Sequence, residues 1–184
     1  MKLTIGISPC PNDTFIFDAI YNERIDLEGM HFEFELMDVE ELNRAAAEGF
    51  FDVTKLSYFA YTGLTSYYQM LRSGGALGHN CGPLLVAKDP GFVPSENSRI
   101  AIPGINTTAN FLLSKAFPSI IQKEEVLFSE IEDGVVSGKY DAGLIIHESR
   151  FTYKDKGLHC IRDLGQFWEE VTHTPIPLGG IVVK

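Results

Sequence analysis

The sequence predicts an α/β protein of two lobes, each built on a largely parallel sheet and joined to the other by two crossover strands. Strand and helix patterns alternate as β-α-β-α-β-α over the first half and resume the alternation from Arg99. That rhythm builds parallel sheets with helices packed on their faces. Two Gly-led apolar segments ending in lysine flank the second alternating set: Gly82-Pro-Leu-Leu-Val-Ala-Lys88 and Gly179-Gly-Ile-Val-Val-Lys184. A chain of 184 residues that is 45% hydrophobic, with mean hydropathy near zero, is enough for one large domain or two small lobes with buried cores. Spacing alone serves equally well for two crossover strands and for two ordinary buried strands. The crossover reading assigns residues 1–88, rejoined by 176–184, to lobe one and residues 89–175 to lobe two.

The elements follow in order. Residues 3–8 alternate as a strand, and the Pro9/Pro11 turn leads into an apolar helix over 14–21. Residues 31–37 (His-Phe-Glu-Phe-Glu-Leu-Met) alternate as a half-buried strand, and 39–48 form an Ala/Glu-rich helix closed by Gly49. A short strand at 52–57 precedes an aromatic helix over 58–71, and a Gly-rich loop covers 73–82. An apolar strand at 83–88 and a loop at 89–98 follow, and the second set places strands at 99–102, 125–128 and 140–146. Its helices span 107–117, 129–137 (with Ser129 as cap) and about 164–171.

Charge and cysteine content narrow the function classes. A net charge of −10 argues against a nucleic-acid partner, which needs clustered Lys and Arg. A small anionic ligand remains compatible, because local backbone dipoles act at short range. Cys10, Cys81 and Cys160 are odd in number and widely spaced, which fits reduced thiols rather than a disulfide framework or a zinc knuckle. The N-terminus enters a strand pattern at once, without a secretory apolar region, and no apolar run is long enough to span a bilayer. A cytoplasmic protein with no membrane partner is expected.

Ligands of open α/β sheets bind beyond the carboxyl ends of the parallel strands. Four segments land there: residues 8–14, 55–57, 104–108 and 147–149. In the first, Ser8, Asn12, Asp13 and Thr14 are candidate cleft-lining groups, and Asn12 or Asp13 can also cap the following helix. Gly104 lets the backbone approach a ligand, while Thr107 or Thr108 supplies a cap hydroxyl and exposed amides suited to a carboxylate. Lys55 can serve as counter-charge to a carboxylate or simply face solvent, and Ser57 can donate a hydrogen bond or cap the next helix. His147 ends the apolar run Ala142-Gly-Leu-Ile-Ile146 and so emerges at the sheet edge, with a side chain able to exchange protons near neutrality. Asp141 is well upstream and Glu148 alternates away, so no carboxylate that would orient the ring is evident. His31, His79, His159 and His173 lack metal-ligand spacing. Nucleotide-binding glycine motifs and the Gly-x-Ser-x-Gly nucleophile motif are absent, so neither a metal nor a cofactor is predicted.

Five segments, in order along nearly the whole chain, resemble the 1,4-dihydroxy-6-naphthoate synthase family of the futalosine route to menaquinone. They are Ser8-Pro-Cys-Pro-Asn-Asp-Thr-Phe15, Lys55-Leu-Ser57, Gly82-Pro-Leu-Leu-Val86, Pro103-Gly-Ile-Asn-Thr-Thr-Ala109 and Asp141-Ala-Gly-Leu-Ile-Ile-His147-Glu148. The octapeptide is specific, whereas the Thr-Thr and His segments are shared with the related chorismate dehydratases. The resemblance implies a periplasmic-binding-protein type 2 fold in a cytoplasmic carbon–carbon lyase without a cofactor. It implies conversion of cyclic dehypoxanthine futalosine to 1,4-dihydroxy-6-naphthoate with release of dihydroxyacetone. It also implies substrate binding by Lys55, Leu56, Ser57, Thr107 and Thr108, and His147 as proton acceptor. The family's C-terminal helices have no counterpart in these residues, which predicts an exposed apolar face on lobe one that a homo-oligomer would cover. Two other functions fit the same fold: a non-catalytic small-carboxylate binding protein and chorismate dehydratase.

Overall fold

The computed structural model describes residues 1–184. The chain divides into two compact units, residues 1–76 with 179–184, and residues 77–178. No helix is long and apolar enough to cross a membrane.

The first unit contains β1 (Lys2–Ile7), α1 (Pro11–Tyr21), β2 (His31–Leu36), α2 (Val39–Ala47), β3 (Val53–Ser57), α3 (Tyr58–Tyr61) and β4 (Gln69–Met70). Next come β5 (Ala76–Gly78), β6 (Leu84–Ala87), β7 (Ile100–Ile102), α4 (Thr108–Ala116), β8 (Lys123–Glu125), α5 (Ile131–Val136) and β9 (Ala142–Ile145). The chain closes with α6 (Ser149–Thr152), β10 (His159–Asp163), α7 (Leu164–Thr172) and β11 (Ile176–Val183).

One sheet runs β2-β1-β3-β11-β4, with β5 also on β11; the other runs β10-β6-β9-β7-β8. β1 is parallel to β2 and β3, and β11 runs antiparallel to β3. Likewise β7 is parallel to β8 and β9, and β6 runs antiparallel to β9. Each unit therefore repeats one plan: three parallel strands ordered second-first-third, then one antiparallel strand.

That plan explains the two lysine-ended segments and corrects one of them. β6 and β11 resemble each other because they hold equivalent antiparallel places, buried on both faces. β6 is not a crossover: it lies between β9 and β10 with all four residues buried. The chain leaves the first unit between Ala76 and Leu77, inside β5, and returns between Leu178 and Gly179, inside β11. Residues 77–88 and 176–178 consequently belong to the second unit.

Burial follows strand alternation. In the second unit Leu85, Ile100, Ile102 and Leu144 pack with Leu112, Leu113 and Leu164 on one face. Leu84, Val86, Ala101 and Ile145 pack with Ile131, Val135 and Tyr153 on the other. A sheet covered on both sides needs continuous apolar strands, as these are. In the first unit Ile5, Ile7, Val53 and Ile181 meet Phe17, while Leu56 and Val182 meet Ala46 and Tyr68.

Three local expectations fail. The helix over 58–71 stops at Tyr61 and continues as turns. The Thr62 hydroxyl bonds back to the Phe59 carbonyl, and Tyr68 is drawn into the core, its hydroxyl on the Phe51 carbonyl at 2.8 Å. The strand at 125–128 lies instead at Lys123–Glu125, an edge strand set by pairing with β7 rather than by its own apolarity. Ser129 caps nothing: it sits within a short 3-10 turn, Phe128–Glu130, that leads into α5.

Candidate functional site

The carboxyl end of the parallel strands in the first unit is organised by one buried carboxylate. Pro11 opens α1 and Cys10 takes the cap position without a side-chain cap bond, so neither Asn12 nor Asp13 caps the helix. Asp13 turns inward instead. It is 1% exposed and accepts hydrogen bonds from the Ser8 amide at 3.0 Å and the Lys55 ammonium at 2.9 Å. Lys55 therefore has an internal counter-charge, and its side chain is only 12% exposed. The Ser8 hydroxyl points to the Cys10 sulfur at 2.7 Å. Asn12 and Thr14 are exposed, with the Thr14 hydroxyl on the Cys10 carbonyl.

At the end of β3, Ser57 precedes α3 without capping it. Its amide donates to Asn43 Oδ1 at 3.0 Å, and its hydroxyl accepts from Asn43 Nδ2 at 3.2 Å. Asn43, from α2, was not among the sequence candidates. Leu56 is fully buried against Ala46, Tyr68 and Val182, so only its main chain could meet a ligand.

In the second unit, β7 and β9 are parallel neighbours, with Ile100 opposite Ala142. The Gly104–Thr107 turn and His147 therefore leave the sheet at the same edge. Gly104 takes φ 155°, which side-chain-bearing residues rarely adopt. Thr107 caps α4: its Oγ1 accepts from the Asn110 amide at 3.1 Å and donates to the Gly104 carbonyl at 2.7 Å. The Thr108 hydroxyl donates to the Leu178 carbonyl at 3.0 Å. Asn110 braces the turn through its bond to the Ile105 carbonyl, and Lys123 donates to Asn110 Oδ1 at 3.0 Å and to the Ser114 hydroxyl at 2.6 Å. Burial lowers the Lys123 pKa.

His147 holds a left-handed backbone, φ 57°, a conformation in which His is enriched but which still costs energy. Its ring lies edge-on to Phe128, centroids 5.2 Å apart. Asp141 is engaged at the far end of β9, where it accepts from the Arg99 amide at 2.8 Å, and Glu148 is exposed. Just past His147, Arg150 donates to the Gly82 carbonyl at 2.7 Å and to Asp163 at 2.5 Å. Asp163 in turn caps α7. Both residues escaped sequence reasoning, since no local pattern pairs an arginine with a carboxylate 13 residues on.

Chemically, the second edge offers a capped helix N-terminus, which favours an anion, after β7, and a side chain suited to proton transfer after the adjacent β9. The first offers a buried ion pair and hydroxyls held by backbone and amide partners.

A family model described as menaquinone biosynthesis matches residues 3–184. Over 182 residues the chain is 50% identical to a 1,4-dihydroxy-6-naphthoate synthase of Thermus thermophilus, covering 99% of this chain and 66% of the relative. A Streptomyces coelicolor protein of the same name is 38% identical over 187 residues, with the same coverage of each. The chain thus spans slightly under two thirds of the length of these relatives. A crystal structure of an Archaeoglobus fulgidus protein superposes with a TM-score of 0.91 at 36% identity, over 99% of this chain and 67% of that one. The alkanesulfonate-binding protein of Xanthomonas axonopodis superposes with a TM-score of 0.70 at 12% identity, over 100% and 65%. The fold is that of the periplasmic binding proteins.

Proposed function

Because this chain belongs to the menaquinone-biosynthesis family, we propose that it carries the naphthoate-synthase chemistry after which its relatives are named. The reaction is a carbon–carbon lyase step that converts cyclic dehypoxanthine futalosine to 1,4-dihydroxy-6-naphthoate with release of dihydroxyacetone. The observation that supports it best is that His147 and the Thr107-capped start of α4 follow two adjacent parallel strands, β9 and β7. A substrate carboxylate at the α4 amides places the reacting carbons near an imidazole that removes a proton and starts the cleavage. Thr107 and Thr108 serve the carboxylate. Lys55, the main chain of Leu56 and Ser57 are the substrate-binding groups proposed in the first unit.

The experiment is turnover of cyclic dehypoxanthine futalosine by the purified protein and its His147→Ala variant. Loss of the base lowers kcat by about 10²-fold or more while leaving substrate binding by calorimetry within about twofold. Full turnover by the variant removes His147 from the mechanism. Tight binding of a small carboxylate without turnover by the wild type favours a solute-binding role, in keeping with the alkanesulfonate-binding neighbour. Turnover of chorismate instead favours the dehydratase.

A further inference from the structure

Glu132 lies in the first turn of α5, and its side chain is 7% exposed. Its Oε2 accepts a hydrogen bond from the Ser149 hydroxyl at 3.3 Å and lies 3.5 Å from the Lys156 ammonium. Its Oε1 is buried without a hydrogen-bond partner. Lys156 does not belong to Glu132 alone, because it also meets Asp133 at 2.7 Å. A buried carboxylate oxygen with no donor is costly, and its presence requires a reason. Packing does not supply one: Ile131 and Val135 of the same helix already fill the apolar face of the sheet, and an aliphatic side chain at 132 would pack without the desolvation penalty.

The segment Glu132 holds does supply one. Ser149 stands two residues after His147, and the Arg150 amide bonds back to the His147 carbonyl at 3.3 Å, closing the turn. The stretch from Phe128 to Glu132 touches that turn twice, with Phe128 on the imidazole and Glu132 on Ser149. We propose that Glu132 is a positioning residue for His147, fixing the turn through the Ser149 hydroxyl so that the imidazole stays against Phe128 in one orientation. This rests on the reading of His147 as the base. It assigns the orienting carboxylate to α5, since Asp141 and Glu148 are placed elsewhere.

The test compares Glu132→Ala, Glu132→Gln and Ser149→Ala by two readouts. The first is kcat and KM with cyclic dehypoxanthine futalosine. The second, in substrate-free protein, is the NMR signal of the His147 ring C–H, assigned by its loss in His147→Ala, with its through-space contact to Phe128. Glu132→Ala and Ser149→Ala each lower kcat about tenfold with KM within about twofold. In both, the His147 signal moves and loses its contact to Phe128. Glu132→Gln keeps an acceptor for the Ser149 hydroxyl and restores most of the turnover and the signal. An unmoved His147 signal in Glu132→Ala overturns the inference, as does a loss that falls on KM alone or a Glu132→Gln protein no better than Glu132→Ala. If Glu132→Ala does not fold, Ser149→Ala, which removes one oxygen, decides on the same readouts. A wild type without turnover sinks the proposed reaction, while the NMR comparison still decides the positioning role.

Discussion

In the first unit the segment after β1 and the end of β3 are tied by an ion pair, Asp13 with Lys55 at 2.9 Å. In the second unit the equivalent segments, after β7 and β9, carry a threonine helix cap and a histidine in a left-handed turn. The same strand order thus yields two different edges. The first neutralises its own cation, so an anion arriving there must compete with a carboxylate that is already desolvated and hydrogen-bonded. The second has its own carboxylate too, Glu125, which accepts from the Ile105 amide at 2.8 Å, and its threonine hydroxyls donate to the Gly104 and Leu178 carbonyls, so what favours an anion there is the start of α4.

The largest effect that can break this contrast comes from Lys55→Met. It leaves Asp13, 1% exposed, as a buried charge without its cation. Removing one partner of such a pair costs about 3–5 kcal/mol, read as a lower urea midpoint at neutral pH. Adding Asp13→Asn to Lys55→Met recovers part of that loss, because the uncompensated charge is gone. A Lys55→Met protein as stable as wild type denies the first edge its internal neutralisation. Thr107→Ala gives a smaller effect. It removes the acceptor for the Asn110 amide and costs about 1 kcal/mol, and Thr107→Ser recovers it. A Thr107→Ala loss equal to that of Lys55→Met would erase the distinction between the edges.

Elements whose own pattern sets their structure were legible before any coordinates. Residues 31–37 alternate, and β2 pairs along its full length with β1. Ala142 to Ile145 is apolar because both sheet faces are covered, and His147 was found as the residue ending that run. Features made by tertiary pairing were not legible. The β6 segment looked like a connection because it resembles β11, whereas the likeness reflects two equivalent places in two sheets. Asp13 was visible as a turn residue, but its bond to Lys55 joins residues 42 apart. Glu132 read as an ordinary acidic residue in a helix's first turn. Its hold on Ser149 exists only because α5 packs on β9.

The two units also share a device at the opposite end of the sheets, and it sets the smallest effect. Asp52, just before β3, accepts from the Thr4 amide at 2.8 Å and the Thr4 hydroxyl at 3.0 Å. Asp141, just before β9, accepts from the Arg99 amide at 2.8 Å and the Arg99 guanidinium at 3.1 Å. In both, the backbone hydrogen bond and then the side-chain bond hold the carboxyl below its ordinary value of 3.8. A depressed folded-state pKa means the contribution is complete above about 3.8 and is lost as pH falls through the lower folded value. Asp52→Asn and Asp141→Asn therefore lower the urea midpoint slightly at about pH 6, and the gap to wild type narrows as pH falls below about 3.8. A gap that persists in acid locates the cost in something other than the charge. Salt separates the two sites: the Asp141 gap includes an exposed guanidinium partner and shrinks as ionic strength rises, whereas the Asp52 gap, made chiefly by a backbone amide and a neutral hydroxyl, holds nearly constant.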